Sequence, residues 1–179
     1  MKQLLLPVIL SVSLVPFVPL YGQSSETTAP LPLVKIVATG GTIANTPGGR
    51  ISAEAVITDV PEIADYARVE ILDHVRIGSS SMTPTVWIGL ANAINEIFRT
   101  EPEVAGIVVT HGTQTTEETS YFLNLTVKSD KPVALAASQR RHGTLGNDGD
   151  RNLLDAIRVV SDPQSRGKGV FVILDEEIK

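Results

Sequence analysis

VKIVATGGTIA, residues 34–44, runs a short apolar, β-branched stretch into a pair of glycines. Six such residues bounded by glycine read as a strand buried on both faces. The same signature returns in GIVVTHGT (106–113), PVALAAS (132–138) and GVFVILD (169–175), while RVEILDHV (68–75) alternates apolar and polar residues. Helical spacing fills the intervals. SAEAVITDVPEIADYA (52–67) carries it until Pro61 breaks it, and EETSYFLNLTVKS (117–129) follows the third strand. TPTVWIGLANAINEIFRT (83–100) opens on Thr-Pro, a good N-cap and first-turn pair. It then places Trp87, Leu90, Ala91, Ile94, Ile97 and Phe98 on one face. DRNLLDAIRVVSDP (150–163) offers Leu153, Leu154, Ile157 and Val160 as an inner face. Continuous apolar strands separated by helices imply a parallel sheet covered on both sides. The expected fold is therefore α/β, a doubly wound, mostly parallel sheet of about five strands with helices on both faces.

Composition narrows the function. The 179 residues carry a net charge of −5, with Lys and Arg scattered, so neither a nucleic-acid footprint nor a polybasic membrane patch is expected. The absence of Cys excludes disulfides, thiolate metal sites and a Cys nucleophile. Residues 1–24 are different in kind. Lys2 precedes an apolar run reaching about Leu20, interrupted by Pro7, Pro16 and Pro19 and followed by small polar residues. That is the layout of a cleaved signal peptide rather than a membrane anchor. The reading predicts a periplasmic or secreted protein with no membrane attachment after cleavage. Residues 25–32 then form a polar linker, and the domain occupies residues 33–179.

In doubly wound sheets, ligands bind beyond the carboxyl ends of the strands. Four loops lie there: residues 39–44, 77–82, 110–119 and 138–152. The first three bring glycines, which let backbone N–H groups approach a ligand, together with small hydroxyl residues. This suits a small polar or anionic ligand. TGGT alone is equally a tight strand-to-helix turn, and neither a Walker pattern nor GxGxxG is present to support a phosphate site. His111 reads as a structural residue beneath its loop. Glu117 and Glu118 suit the positive end of a helix dipole, and Asp148 suits a cap for the helix that follows. Asn124-Leu125-Thr126 matches a glycosylation sequon, but within a helix.

Taken together, ATGGTIA (38–44), IGSSSMTP (77–84), VTHGTQTTEETSYFLNLTVKSDKPV (109–133) and NDGDRNLLDAIRV (147–159) resemble the bacterial type L-asparaginase and glutaminase family, over essentially all of residues 33–179. The resemblance implies hydrolysis of the side-chain amide of L-asparagine, and of L-glutamine as a further candidate substrate, through a threonyl acyl-enzyme. It implies no metal or organic cofactor. By position, Thr42 matches the nucleophile and Thr113 the second threonine, which works in the family with a carboxylate and a lysine. Ser79 matches the serine that holds the substrate α-carboxylate, with Ser80 and Gln114 as further substrate-binding positions. A threonine hydroxyl needs a base or proton relay to attack. Backbone N–H groups around Gly41, Ile43 and Thr113 are candidates to stabilise the oxyanion. The family also implies a tetramer built from close dimers.

The chain departs from the family pattern. Gln114 replaces the aspartate that pairs with the substrate ammonium, and Ser80 replaces a substrate-binding glutamine. No Tyr lies between Ile43 and Pro61, where the family's lid carries one. By the resemblance, the family's lysine is expected beyond the strand matching GVFVILD, so Lys179 is not its equivalent, and these residues are expected to stop before the family's smaller carboxyl-terminal domain. These 179 residues alone are thus expected to be inactive or barely active. A catalytically impaired module that binds an amino acid or similar small carboxylate stands as the alternative, ahead of a nucleotide-binding domain.

Overall fold

The structure, a computed structural model, describes residues 30–179. The leader and all but the end of the linker lie outside the described residues. The first strand, β1 (Leu33–Gly40), is central. It pairs in parallel with β4 (Arg68–Ile77) on one side and β5 (Val104–Thr110) on the other. Strands β6 (Val133–Ala136) and β7 (Val170–Leu174) extend the sheet, again in parallel. The order is β4-β1-β5-β6-β7-β8. The four apolar runs and the alternating RVEILDHV stretch are therefore the five parallel strands, and the doubly wound α/β reading holds.

Each face carries its own core. Val34, Ile36, Val108, Ala134, Ala136 and Ile173 point to one side, against α1 (Ala53–Thr58) and α4 (Gly149–Ser161). Val37, Ile107, Val109, Val133 and Leu135 point to the other, against α2 (Pro84–Thr100) and α3 (Thr116–Thr126). Period-2 alternation through wholly apolar strands is what lets one sheet serve two cores. Helix α2 begins as its sequence indicates. Thr83 caps it, accepting a hydrogen bond from the Val86 N–H at 3.4 Å, and Pro84 takes the first helical position. Among the described residues, no helix is long and apolar enough to cross a membrane.

Two small hairpins add to the expected fold, and two local expectations need correction. The sheet has a sixth strand, β8 (Glu177–Ile178), antiparallel to β7 across a turn in which Asp175 and Glu176 both adopt positive φ, 58° and 59°. Paired positive φ values are the signature of the tight hairpin turn that matches strand twist. A second small hairpin joins β2 (Asn45–Thr46) to β3 (Gly49–Arg50). On α4, Leu154 is only half-buried, because Leu153, Ala156, Ile157 and Val160 define the inner stripe. Finally, Asp148 occupies the N-cap position of α4 without capping it. Its carboxylate turns back to accept from the N–H groups of Gln139 (2.8 Å) and Arg140 (2.9 Å), tying down the loop before it.

Candidate functional site

The strand order places the topological switch point between β1 and β5, whose helical connections leave toward opposite faces. Two buried threonines stitch the strand ends there. Thr39 Oγ1 donates to the Thr110 carbonyl at 2.6 Å, and the Thr39 N–H donates to Thr110 Oγ1 at 3.3 Å. The chains then part, and the loops that follow β1, β4 and β5 meet above the gap.

Their meeting is backbone to backbone. The Gly41 N–H donates to the Ile77 carbonyl at 3.2 Å, which joins the first loop to the second. A Cβ on Gly41 would lie 2.4 Å from the carbonyl carbon and oxygen of His111, so the first loop rests directly on the third. Gly112 closes the triangle: a Cβ there would lie 2.5 Å from Ser79 Oγ. Polar contacts reinforce it. The Gln114 N–H donates to Ser79 Oγ at 3.2 Å, and Thr115 Oγ1 donates to the Ser79 carbonyl at 2.9 Å. Ser79 is buried, and because its oxygen accepts from Gln114 its own proton is free to donate to a ligand oxygen.

Thr42 opens the short turn Thr42–Ala44 and is half-buried, as is Thr113, whereas Ser80 and Gln114 are exposed. Among the described residues, the hydroxyls of Thr42 and Thr113 take no part in the hydrogen bonds that hold the loops together. An open groove of about 900 Å³ runs from Thr113 and Gln114 past Glu117 and Tyr121 to β7 and Lys179. Thr42, Ser79 and Ser80 lie outside that lining. The Lys179 ammonium is engaged by Glu177.

A sequence profile described as "Asparaginase, N-terminal" matches residues 33–179. The chain belongs to the asparaginase family. It is 42% identical over 158 residues to "L-asparaginase 2" of Bacillus subtilis, covering 83% of this chain and 42% of that one. It is 40% identical over 166 residues to "Probable L-asparaginase periplasmic" of Haemophilus influenzae, covering 88% of this chain and 47% of that one. Among solved structures, a "Probable Cytoplasmic L-asparaginase from Campylobacter jejuni" superposes with a TM-score of 0.78 at 40% identity, covering 82% of this chain and 47% of that one. The chain thus spans under half the length of these relatives.

Within this asparaginase domain, the three loops flagged in the sequence come together at one place. The fourth, residues 138–152, meets them at its edge: the His142 N–H donates to the Asn45 carbonyl at 2.8 Å, and a Cβ on Gly149 would lie 2.9 Å from Ile43. His111 is fully buried, in keeping with a structural role, and burial pushes its imidazole below the usual histidine range. Glu117 and Glu118 lie exposed in the first turn of α3. Asn124 lies on α3, its carbonyl oxygen accepting from the Val170 N–H at 3.2 Å.

Sequence reading missed His142. Its ring, buried against solvent, bridges two carboxylates, Asp59 at 2.8 Å and Asp150 at 2.9 Å. Burial acts to lower its pKa, but the hydrogen bond to Asp59 and the field of Asp150 prevail and raise it. A histidine pKa raised on folding stabilises below the unfolded value, about 6.5, and the benefit fades as pH rises through the folded value. Both carboxylates are partly exposed, so the expected effect of His142→Asn is about 1 kcal/mol, or ~2–4 °C of Tm, at pH 5.5. The two proteins should converge by pH 9. Melting curves across that range check this, and a difference that grows toward alkaline pH refutes it.

Proposed function

We propose that the complete protein hydrolyses the side-chain amide of L-asparagine, with L-glutamine as a second candidate substrate, to the acid and ammonia. Thr42 attacks the amide carbon and forms an ester, ammonia leaves, and water releases the acid. Thr113 handles protons beside it, and Ser79 donates to the substrate carboxylate. Ser80 and Gln114 shape the remaining contacts. One observation carries this reading. The loop bearing Thr42 rests on the His111–Gly112 peptide, one residue before Thr113, so two free threonine hydroxyls share the switch point. The backbone N–H groups that open the turns at Thr42 and Thr113 suit a developing oxyanion there. No cofactor is needed. Export to the periplasm or medium, and a homo-oligomeric assembly, belong to the same proposal; the leader-like residues 1–24 support the first.

A second reading, a binding module for an amino acid or related carboxylate, is favoured by Ser80 and, above all, by Gln114. An amide there can accept a hydrogen bond from an ammonium but cannot balance its charge. Restoring the carboxylate with Gln114→Asp is expected to raise kcat/KM for L-asparagine about 10- to 100-fold, the worth of one charge-assisted hydrogen bond. The measurement is ammonia release from L-asparagine and L-glutamine by the protein at its natural length. Turnover by wild type supports the enzyme. Silence from wild type with activity in Gln114→Asp supports the binding module, and silence from both removes the amidohydrolase reading.

A further inference from the structure

Beneath the third loop, four side chains form a hydrogen-bonded network that ends on one carbonyl. The Trp87 indole N–H on α2 donates to Thr119 Oγ1 on α3 at 2.8 Å. Thr119 Oγ1 meets His111 Nε2 at 3.0 Å, and His111 Nδ1 meets the Gly112 carbonyl at 2.7 Å. Thr116 Oγ1 donates to that same carbonyl at 2.7 Å. Both His111 and Thr119 are fully buried.

The ends of this chain dictate its proton order. An indole N–H can only donate and a carbonyl can only accept. Having accepted from Trp87, the Thr119 hydroxyl has its proton free for His111 Nε2. The Nδ1 nitrogen must carry the ring proton, since a bare Nδ1 would face the carbonyl lone pairs. Burial, acting against smaller pulls from the Gly112 carbonyl and Glu118, lowers the pKa of the ring and favours its neutral form. The Gly112 carbonyl then accepts two hydrogen bonds, which fixes its peptide plane. No peptide bond in the described residues is cis, so the Thr113 N–H points the opposite way, out of the buried side.

We propose that Trp87, Thr119 and His111 form a proton-ordered relay that orients the Gly112–Thr113 peptide, which makes His111 a positioning residue for the site rather than a base. The relay stands on geometry alone; its bearing on turnover rests on Thr113 serving the proposed amide hydrolysis. The sharpest variants are those that split the two ring nitrogens. Asn at 111 can keep a donor near the Nδ1 position, and Gln at 111 can reach Thr119 but leaves the carbonyl without that donor.

Nitrogen-15 NMR of the 179-residue chain tests the relay. His111 should show a protonated Nδ1 and a bare Nε2, unchanged between about pH 5 and 8, where a free histidine titrates. The Thr113 amide resonance should hold its position in Thr119→Ser and His111→Asn and move in Thr119→Val and His111→Gln. A proton on Nε2, or a Thr113 amide that responds alike in all four variants, overturns the proposal. In the protein at its natural length, Thr119→Val should lower kcat about tenfold with little change in KM, the mark of a misplaced group. A wild type that releases no ammonia would count against the amide-hydrolysis reading, and the NMR result would still decide the relay.

Discussion

In the protein at its natural length, and under the proposed function, Thr42→Ala is expected to reduce ammonia release from L-asparagine by about 10³-fold or more, the scale seen when a nucleophile is removed from a covalent mechanism. The fold should survive. The buried residues of that turn are Ile43 and Ala44, and the Thr42 hydroxyl holds none of the loop contacts. Loss of one half-buried hydroxyl and methyl outside the core should change stability by no more than ~0.5 kcal/mol. Activity and melting temperature should therefore part company in this variant. Thr42→Ser, which keeps the hydroxyl, should retain measurable turnover. If Thr42→Ala kept the wild-type rate, the nucleophile would have to be sought elsewhere, with Thr113 next.

Gly41→Ala should do the reverse, lowering stability and activity together. Gly41 adopts φ 89° and ψ −178°, a region open in practice only to glycine. A methyl there would also sit 2.4 Å from the His111 carbonyl and 2.5 Å from the Gly112 nitrogen. Both obstacles are backbone, so no rotamer change relieves them. Strain and overlap together should destabilise by about 3 kcal/mol or more, roughly 10 °C of Tm. Gly48→Ala is the matched control, seven residues away, where a Cβ would meet only Thr46 Oγ1 at 3.8 Å. Equal melting temperatures for the two variants would show that the loops can part without strain.

The parallel strands and the long helix α2 were legible in the sequence because burial on both faces leaves a continuous apolar run, a half-exposed edge such as β4 leaves alternation, and amphipathic packing leaves a 3.6-residue period. The β7–β8 hairpin was not, since a two-residue strand such as Glu177–Ile178 has no period to detect. Asp148 illustrates a different blindness. A carboxylate before a helix has a local use as a cap, yet its partners here are N–H groups eight and nine residues upstream, reached only when the loop folds back. The relay was hidden for the same reason. Trp87 belonged to an apolar helical face, and nothing near it in sequence indicated that its indole would meet Thr119, thirty-two residues on. His142 reaches Asp59 across eighty-three residues. Positions whose chemistry is local could be named in advance; those that depend on tertiary partners could not.

The triangle of loops divides the site into two kinds of position. Residues 41, 79 and 112 are locked together by contact, so a change at any of them disturbs the other two. Residues 80 and 114, the proposed substrate contacts outside this triangle, are exposed, and Gln114 is held through its backbone N–H rather than its side chain. Under the proposed function, recognition can therefore drift at 80 and 114 with little penalty to folding. A library that varies those two residues, and leaves the glycines untouched, is the economical route to new substrate range on this scaffold.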